Sequence, residues 1–172
     1  MLYLIGGPPR MGKSTLARRV LLENKIPYVS TDGLTVMLKP IGQPSYYSVE
    51  KSNLFFPYLE LFIARITKSC PDYIIEGDSF TPAHVEILQN KYELKSVFLT
   101  MSHTTVENII TNAGYDTWTN DASPEQLTNL VERVQAASKD IQLECVKRGL
   151  NCFDLSKNYN AVLHDAYRAL MS

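Results

Sequence analysis

Residues 7–14 read Gly-Pro-Pro-Arg-Met-Gly-Lys-Ser, a full match to the pattern G-x-x-x-x-G-K-[ST]. The spacing has a chemical reason. A glycine-rich loop can curl so that successive backbone N–H groups point inward at a phosphate, and a helix that follows adds its positive end. Gly7, Pro8, Pro9, Arg10, Met11 and Gly12 would form the cradle. Lys13 would reach the outer phosphates, the Ser14 hydroxyl would ligate magnesium, and Thr15 would close the loop.

Further candidates lie downstream. Asp32 follows a short apolar run and could accept the proton of a substrate hydroxyl, although an Asp-Gly pair serves equally well as a helix cap or turn. Glu76 and Asp78 flank Gly77, and one of them could assist magnesium, with Glu76 the better placed. Charge built up during phosphoryl transfer calls for an arginine. Arg133, in the helix after a polar segment, is the first choice, and Arg10 lies within the loop itself. His84, His103 and His164 have no metal-ligand spacing and suit surface or capping positions.

These residues need elements to hold them. Leu2 to Ile5 reads as a buried strand that ends at Gly6-Gly7, and Lys13 to Asn24 as a helix with Leu16 and Val20 inward. Tyr28 to Ser30, Tyr73 to Ile75, Ser96 to Thr100 and Cys152-Phe153 are further strands. Between them, a helical period from Ser48 to Ile66 should be kinked or divided by Pro57, and Pro82 to Asn90 forms another helix. Ser123, Pro124 and Gln126 make a capping box for a long helix ending near Gly149, and a closing helix buries Leu163, Ala166, Tyr167 and Leu170. Leu34 to Tyr47 resists assignment. Strands alternating with helices predict a five-stranded parallel sheet in a three-layer α/β/α fold, with ligands at the carboxyl ends of the strands. Residues 1–172 then form one domain.

Composition narrows the function. With 17 basic and 18 acidic residues the net charge is −1, which offers no global field for nucleic acid. The longest apolar stretch, Leu54 to Ala64, is broken by Pro57 and Glu60, so no membrane span is expected, and Leu2 to Ile5 is too short for a signal-peptide core. Cys70, Cys145 and Cys152 are odd in number and form no CxxC pair, as expected of reduced thiols in a cytoplasmic protein. A regulatory nucleotide switch is the alternative to an enzyme. A guanine reader would carry N-K-x-D after a strand, whereas Asn90-Lys91-Tyr92-Glu93 has glutamate and precedes one.

Across Tyr3–Thr15, Val29–Leu34, Tyr73–Pro82 and Phe153–Ser156 the chain resembles the small P-loop kinases. These include adenylate and shikimate kinases, chloramphenicol phosphotransferase and zeta-toxin kinases. More narrowly, it resembles bacterial ATP-binding proteins labelled 2-phosphoglycerate-kinase-like. The resemblance implies strand order 2-3-1-4-5, ATP and Mg²⁺ as cofactors, and a small-molecule acceptor. It further implies an acceptor-binding segment at 34–58, a lid at about 112–123, and an adenine-side loop that includes Asp154 and Ser156. Tyr46, Tyr47, Tyr58 and Trp118 are candidates to line the acceptor pocket. The lid holds no lysine or arginine, unlike the lids of nucleotide kinases.

Overall fold

The computed structural model describes residues 1–37, 48–111 and 121–172. The middle of the expected acceptor segment, most of the expected lid, and Tyr46, Tyr47 and Trp118 lie outside the described residues.

β1 (Leu2–Gly6) is buried along its whole length, as a strand covered on both faces must be. Its side chains alternate. Leu2 and Leu4 enter one hydrophobic cluster, Tyr3 and Ile5 the other, so the strand divides two cores. β2 (Tyr28–Ser30), β3 (Tyr73–Gly77), β4 (Leu94–Thr100) and β5 (Asn151–Asp154) join it in the order β2-β3-β1-β4-β5, every pair parallel. This is the expected sheet. Register sets its functional edge: Gly6 lies opposite Gly77, Ser30 opposite Glu76, and Thr100 opposite Asp154.

α1 (Lys13–Asn24) and α7 (Tyr159–Met171) share one face of the sheet, where Leu16, Val20, Leu163, Ala166 and Leu170 pack. Tyr167, expected in that core, is only half-buried; Arg19 covers its ring at 4.0 Å and its hydroxyl donates to Asn24. The other face carries α3 (Val49–Ile66) and α4 (Pro82–Gln89). Pro57 does not divide α3. Pro57 and Asn53, whose carbonyl loses its helical partner, are both exposed, and burial of Phe55, Phe56, Leu59 and Ile63 offsets the missing bond. After α5 (Val106–Thr111), α6 (Pro124–Arg148) begins with the expected capping box, in which Ser123 and Gln126 bond each other's backbone, and it ends at left-handed Gly149. Its 25 residues span about 37 Å, longer than any strand here. Leu130 and Val134 therefore serve one core, and Ile141 and Cys145 the other.

α2 (Thr31–Met37) starts directly after β2, so Asp32 and Gly33 sit in its first turn rather than in an open Asp-Gly turn. The Ser30 hydroxyl accepts the Asp32 N–H at 3.2 Å and starts the helix one residue past the strand. Among the described residues no helix is long and apolar enough to cross a membrane, and all three cysteines are free.

His84 fills the third position of α4 and completes a capping box with Thr81. It is buried and stacked on Phe56 at 4.1 Å. Its Nδ1 accepts the Thr81 N–H, so Nε2 carries the proton and donates to Asn53 Oδ1 at 2.9 Å. Burial pushes the ring down to about 4, and the Glu60 carboxylate only partly opposes this. The unfolded chain therefore takes up a proton near pH 6.5 that the folded chain refuses. Stability should be full above that value and fall by about 1–3 kcal/mol as pH drops toward 4, allowing for partial solvent screening. Urea unfolding at pH 7 and pH 5 should show the loss in the native chain and a smaller one in His84→Gln.

Candidate functional site

The loop leaving β1 passes so close to β4 that only glycine fits. A Cβ on Gly7, at φ 139°, would stand 2.0 Å from the Leu99 carbonyl oxygen. Arg10 takes a left-handed φ of 68°, uncommon for a residue with a side chain, and curls the loop before α1. Pro8 and Met11 are buried and anchor it, Met11 within the core below. Pro9 and Arg10 are half-buried at its rim. Lys13 is 8% exposed, and its Nζ donates to the Pro8 carbonyl at 2.7 Å, folding back across the loop it follows. Ser14 and Thr15 open onto solvent.

Ser14 Oγ donates to Glu76 Oε1 at 2.9 Å. Glu76 is 2% exposed at the end of β3. Burial pushes its carboxyl up, while the Lys13 ammonium and the hydroxyls of Ser14 and Ser30 pull it back; the Asp32 carboxylate adds to the upward push. Lys13, Ser14, Asp32 and Glu76, from three places in the chain, thus form one electrostatic cluster where β1, β2 and β3 end. Ser14 and Asp32 are its exposed members. Asp78, the alternative to Glu76, lies in the loop beyond, where its Oδ1 accepts the Ser79 hydroxyl at 3.2 Å. Gly77 lets the strand end beneath α2, since a Cβ there would stand 1.7 Å from Thr31 Oγ1. Arg133 is exposed on α6 and borders a small cleft with Pro9, Leu130, Val134 and Ala137, beside the phosphate loop.

Asp154 and Ser156 lie at the other half of the edge. Asp154 Oδ1 accepts the Ser102 N–H at 3.3 Å, the Ser156 N–H at 3.0 Å and the Ser156 hydroxyl at 2.5 Å. Oδ2 accepts the Ser102 hydroxyl at 2.5 Å and Gln142 Nε2 at 3.0 Å. Partial burial would raise its carboxyl, but the bonds from Ser102, Ser156 and Gln142 outweigh it and hold the group at about 2. Ser156 Oγ also accepts the His103 N–H at 3.0 Å, so the loops after β4 and β5 are laced together.

Magnesium suits this donor set. Ser14 and Glu76 offer hard oxygens in hydrogen-bond contact beside a loop shaped for phosphate, and a magnesium–nucleotide site takes only one or two protein oxygens. Among the described residues no three acidic, histidine or cysteine side chains gather as a self-contained metal cage. Sequence reasoning passed over Ser30, Ser102, Gln142 and Tyr159; the last stands at the start of α7 against Gly12, where an added Cβ would lie 2.3 Å from its hydroxyl. Only the place of Ser30, at a strand end just before Asp32, offered a signal.

No protein-family model matches the chain, and no curated protein matches it in sequence. Solved structures do match it along almost its full length. A gluconokinase from Sinorhizobium meliloti 1021 superposes with a TM-score of 0.55 at 15% identity, covering 99% of this chain and 90% of that one. Shikimate kinase from Aquifex aeolicus gives 0.52 at 14% identity, covering 99% and 96%. Shikimate kinase from Acinetobacter baumannii, in complex with shikimate, gives 0.57 at 12% identity, covering 99% and 90%. The chain has the fold of the small P-loop kinases. The five-stranded order seen here is the one that resemblance implied.

The lacing around Asp154 can be tested by stability alone. Asp154→Ala leaves part-buried donors on Ser102, Ser156 and Gln142 without their acceptor, so it should cost about 2–4 kcal/mol in denaturant unfolding. Asp154→Asn keeps part of the network and should lose less.

Proposed function

We propose that the protein is a kinase that transfers the terminal phosphoryl group of ATP to a hydroxyl of a small molecule. The observation that carries this reading is the cluster of Lys13, Ser14, Asp32 and Glu76 at the carboxyl edge of the sheet, directly after the phosphate loop. Its parts divide the work. Backbone N–H groups of Gly7, Arg10, Met11 and Gly12 and the start of α1 bind the phosphates, the prolines having none to give. Lys13 exchanges its bond to the Pro8 carbonyl for phosphate oxygens and draws off charge as it develops. Magnesium, held by Ser14 and assisted by Glu76, would neutralise phosphate charge when bound. Arg133, which borders one cleft with Pro9 of the loop, serves the same end.

Asp32 acts on the acceptor. Its exposure leaves it open to an incoming hydroxyl, whose proton it takes as the acceptor oxygen bonds to phosphorus and the bond to ADP breaks. Asp154 positions the loops on the nucleotide side through its internal bonds, and Ser156 shares that task. The acceptor is a small hydroxylated metabolite, as in the gluconokinase and shikimate kinases of the same fold. Free thiols suit the cytoplasm.

Purified protein with ATP and magnesium should release ADP when the right acceptor is supplied, and gluconate and shikimate head the panel to screen. Lys13→Ala should lower turnover by roughly 10²–10³-fold while the domain stays folded by circular dichroism. A folded Lys13→Ala that binds and turns over nucleotide normally would remove the proposal. Asp32→Asn should lower turnover by about 10²–10⁴-fold and leave ATP affinity in calorimetry unchanged. Asparagine caps a helix as well as aspartate does, so near-normal turnover would reduce Asp32 to a cap.

A further inference from the structure

The buried face of α6 is not purely apolar. Six of its side chains are buried, and one of them, Ser138, carries a hydroxyl. That Oγ accepts the Met101 N–H at 3.0 Å, just past the end of β4. One turn earlier Gln135 Nε2 donates to the Thr104 carbonyl at 2.9 Å, and one turn later Gln142 Nε2 donates to Thr100 Oγ1 at 3.0 Å. Residues 135, 138 and 142 are spaced three and four apart, so they share one face of the helix. Their partners at 104, 101 and 100 run the opposite way. α6 is therefore stitched turn by turn to the chain leaving β4, and each stitch is a directional bond.

On a helix that turns about 100° per residue, Gln135 lies about 100° to one side of buried Val134, and Ser138 and Gln142 lie on that same side. Arg133 lies about 100° to the other side, where it lines the cleft with Ala137 and with Pro9 of the phosphate loop. The stitches and the cleft thus occupy opposite flanks of the apolar stripe. Apolar packing holds a helix against a sheet but is non-directional, and it resists rolling only weakly. Bonds on one flank stop the roll and so fix where the other flank points. From this arrangement we propose that Gln135 and Ser138 are positioning residues, which hold α6 at the rotation that aims Arg133 at the phosphate loop. The proposal rests on the kinase reading above, in which Arg133 meets the charge of the phosphoryl group in transfer. With side-chain tips about 5–6 Å from the helix axis, a roll of about 10° carries the guanidinium about 1 Å, a misplacement that can cost about a hundredfold in rate.

The test uses the full chain and needs no knowledge of the acceptor. Calorimetry measures the binding of ADP with magnesium, first alone and then with aluminium fluoride, which stands in for the phosphoryl group in transfer. Arg133→Ala should bind ADP as the native chain does but lose about tenfold or more of the affinity gain that aluminium fluoride brings. Gln135→Met keeps the length of the side chain without its N–H, and it should lose about threefold or more of that gain, with ADP alone unaffected. Ser138→Ala should do the same. In an Arg133→Ala background neither change should have a further effect, because the group they aim is gone. Ile141→Val on the same helix is the control, lowering stability in urea while leaving the gain intact. A native gain in the folded Gln135→Met and Ser138→Ala chains overturns the proposal, and so does a loss that persists in full without Arg133. A native chain that gains nothing from aluminium fluoride sinks the kinase reading first. An Arg133→Ala chain that keeps the whole gain sinks only the role of Arg133, and either result takes this inference with it.

Discussion

A buried carboxylate fixes the geometry of this protein's working edge. Glu76 ends a central strand with almost no access to water, and a group in that position must be met by donors and opposite charge. A donor comes from Ser14 and the charge from Lys13, both in the first turn of α1, while Ser30 stands opposite at the end of β2. Meeting the needs of one side chain thus holds the start of α1 and the end of β2 against the end of β3. Asp32 pushes against the same group from the solvent side, so the cluster holds two acids whose mutual repulsion is balanced by one ammonium and two hydroxyls.

The other half of the edge uses the same principle with a different balance. Asp154 is only part-buried, and hydroxyl, amide and backbone donors surround it closely enough to keep it charged far below neutrality. Its partners come from the loop after β4, the loop after β5 and the middle of α6. Strand order brings this about. Placing β1 at the centre sets β2 and β3 on one flank and β4 and β5 on the other, so the two acid-centred networks lie on either side of the phosphate loop.

Much of this arrangement was legible in the chain because its signals are local. The phosphate motif sits between a strand and a helix, Ser123-Pro124 and Gln126 cap α6 as written, and the alternating elements lead to the parallel sheet. Where the sequence left alternatives open, solvent exposure and capping decide between them. Pro57 does not divide α3, since it and Asn53 are both exposed. Asp32-Gly33 enters the first turn of a helix because the Ser30 hydroxyl caps it. Ser30, Gln142 and Tyr159 gain their importance only through partners set by strand register and helix docking, which no short window of sequence reveals.

The folded-back Lys13 bears on which molecules can enter. Its ammonium is already engaged by a carbonyl of its own loop, so a visitor does not meet a bare cation but must win an exchange. A neutral oxygen offers no advantage over the carbonyl it would displace, whereas phosphate oxygens bring charge and several acceptors at once. On the kinase reading proposed above, such a loop would filter by competition. A weakly charged metabolite would leave its internal bond intact, whereas a polyanion that engaged loop, lysine and serine together would have reason to break it.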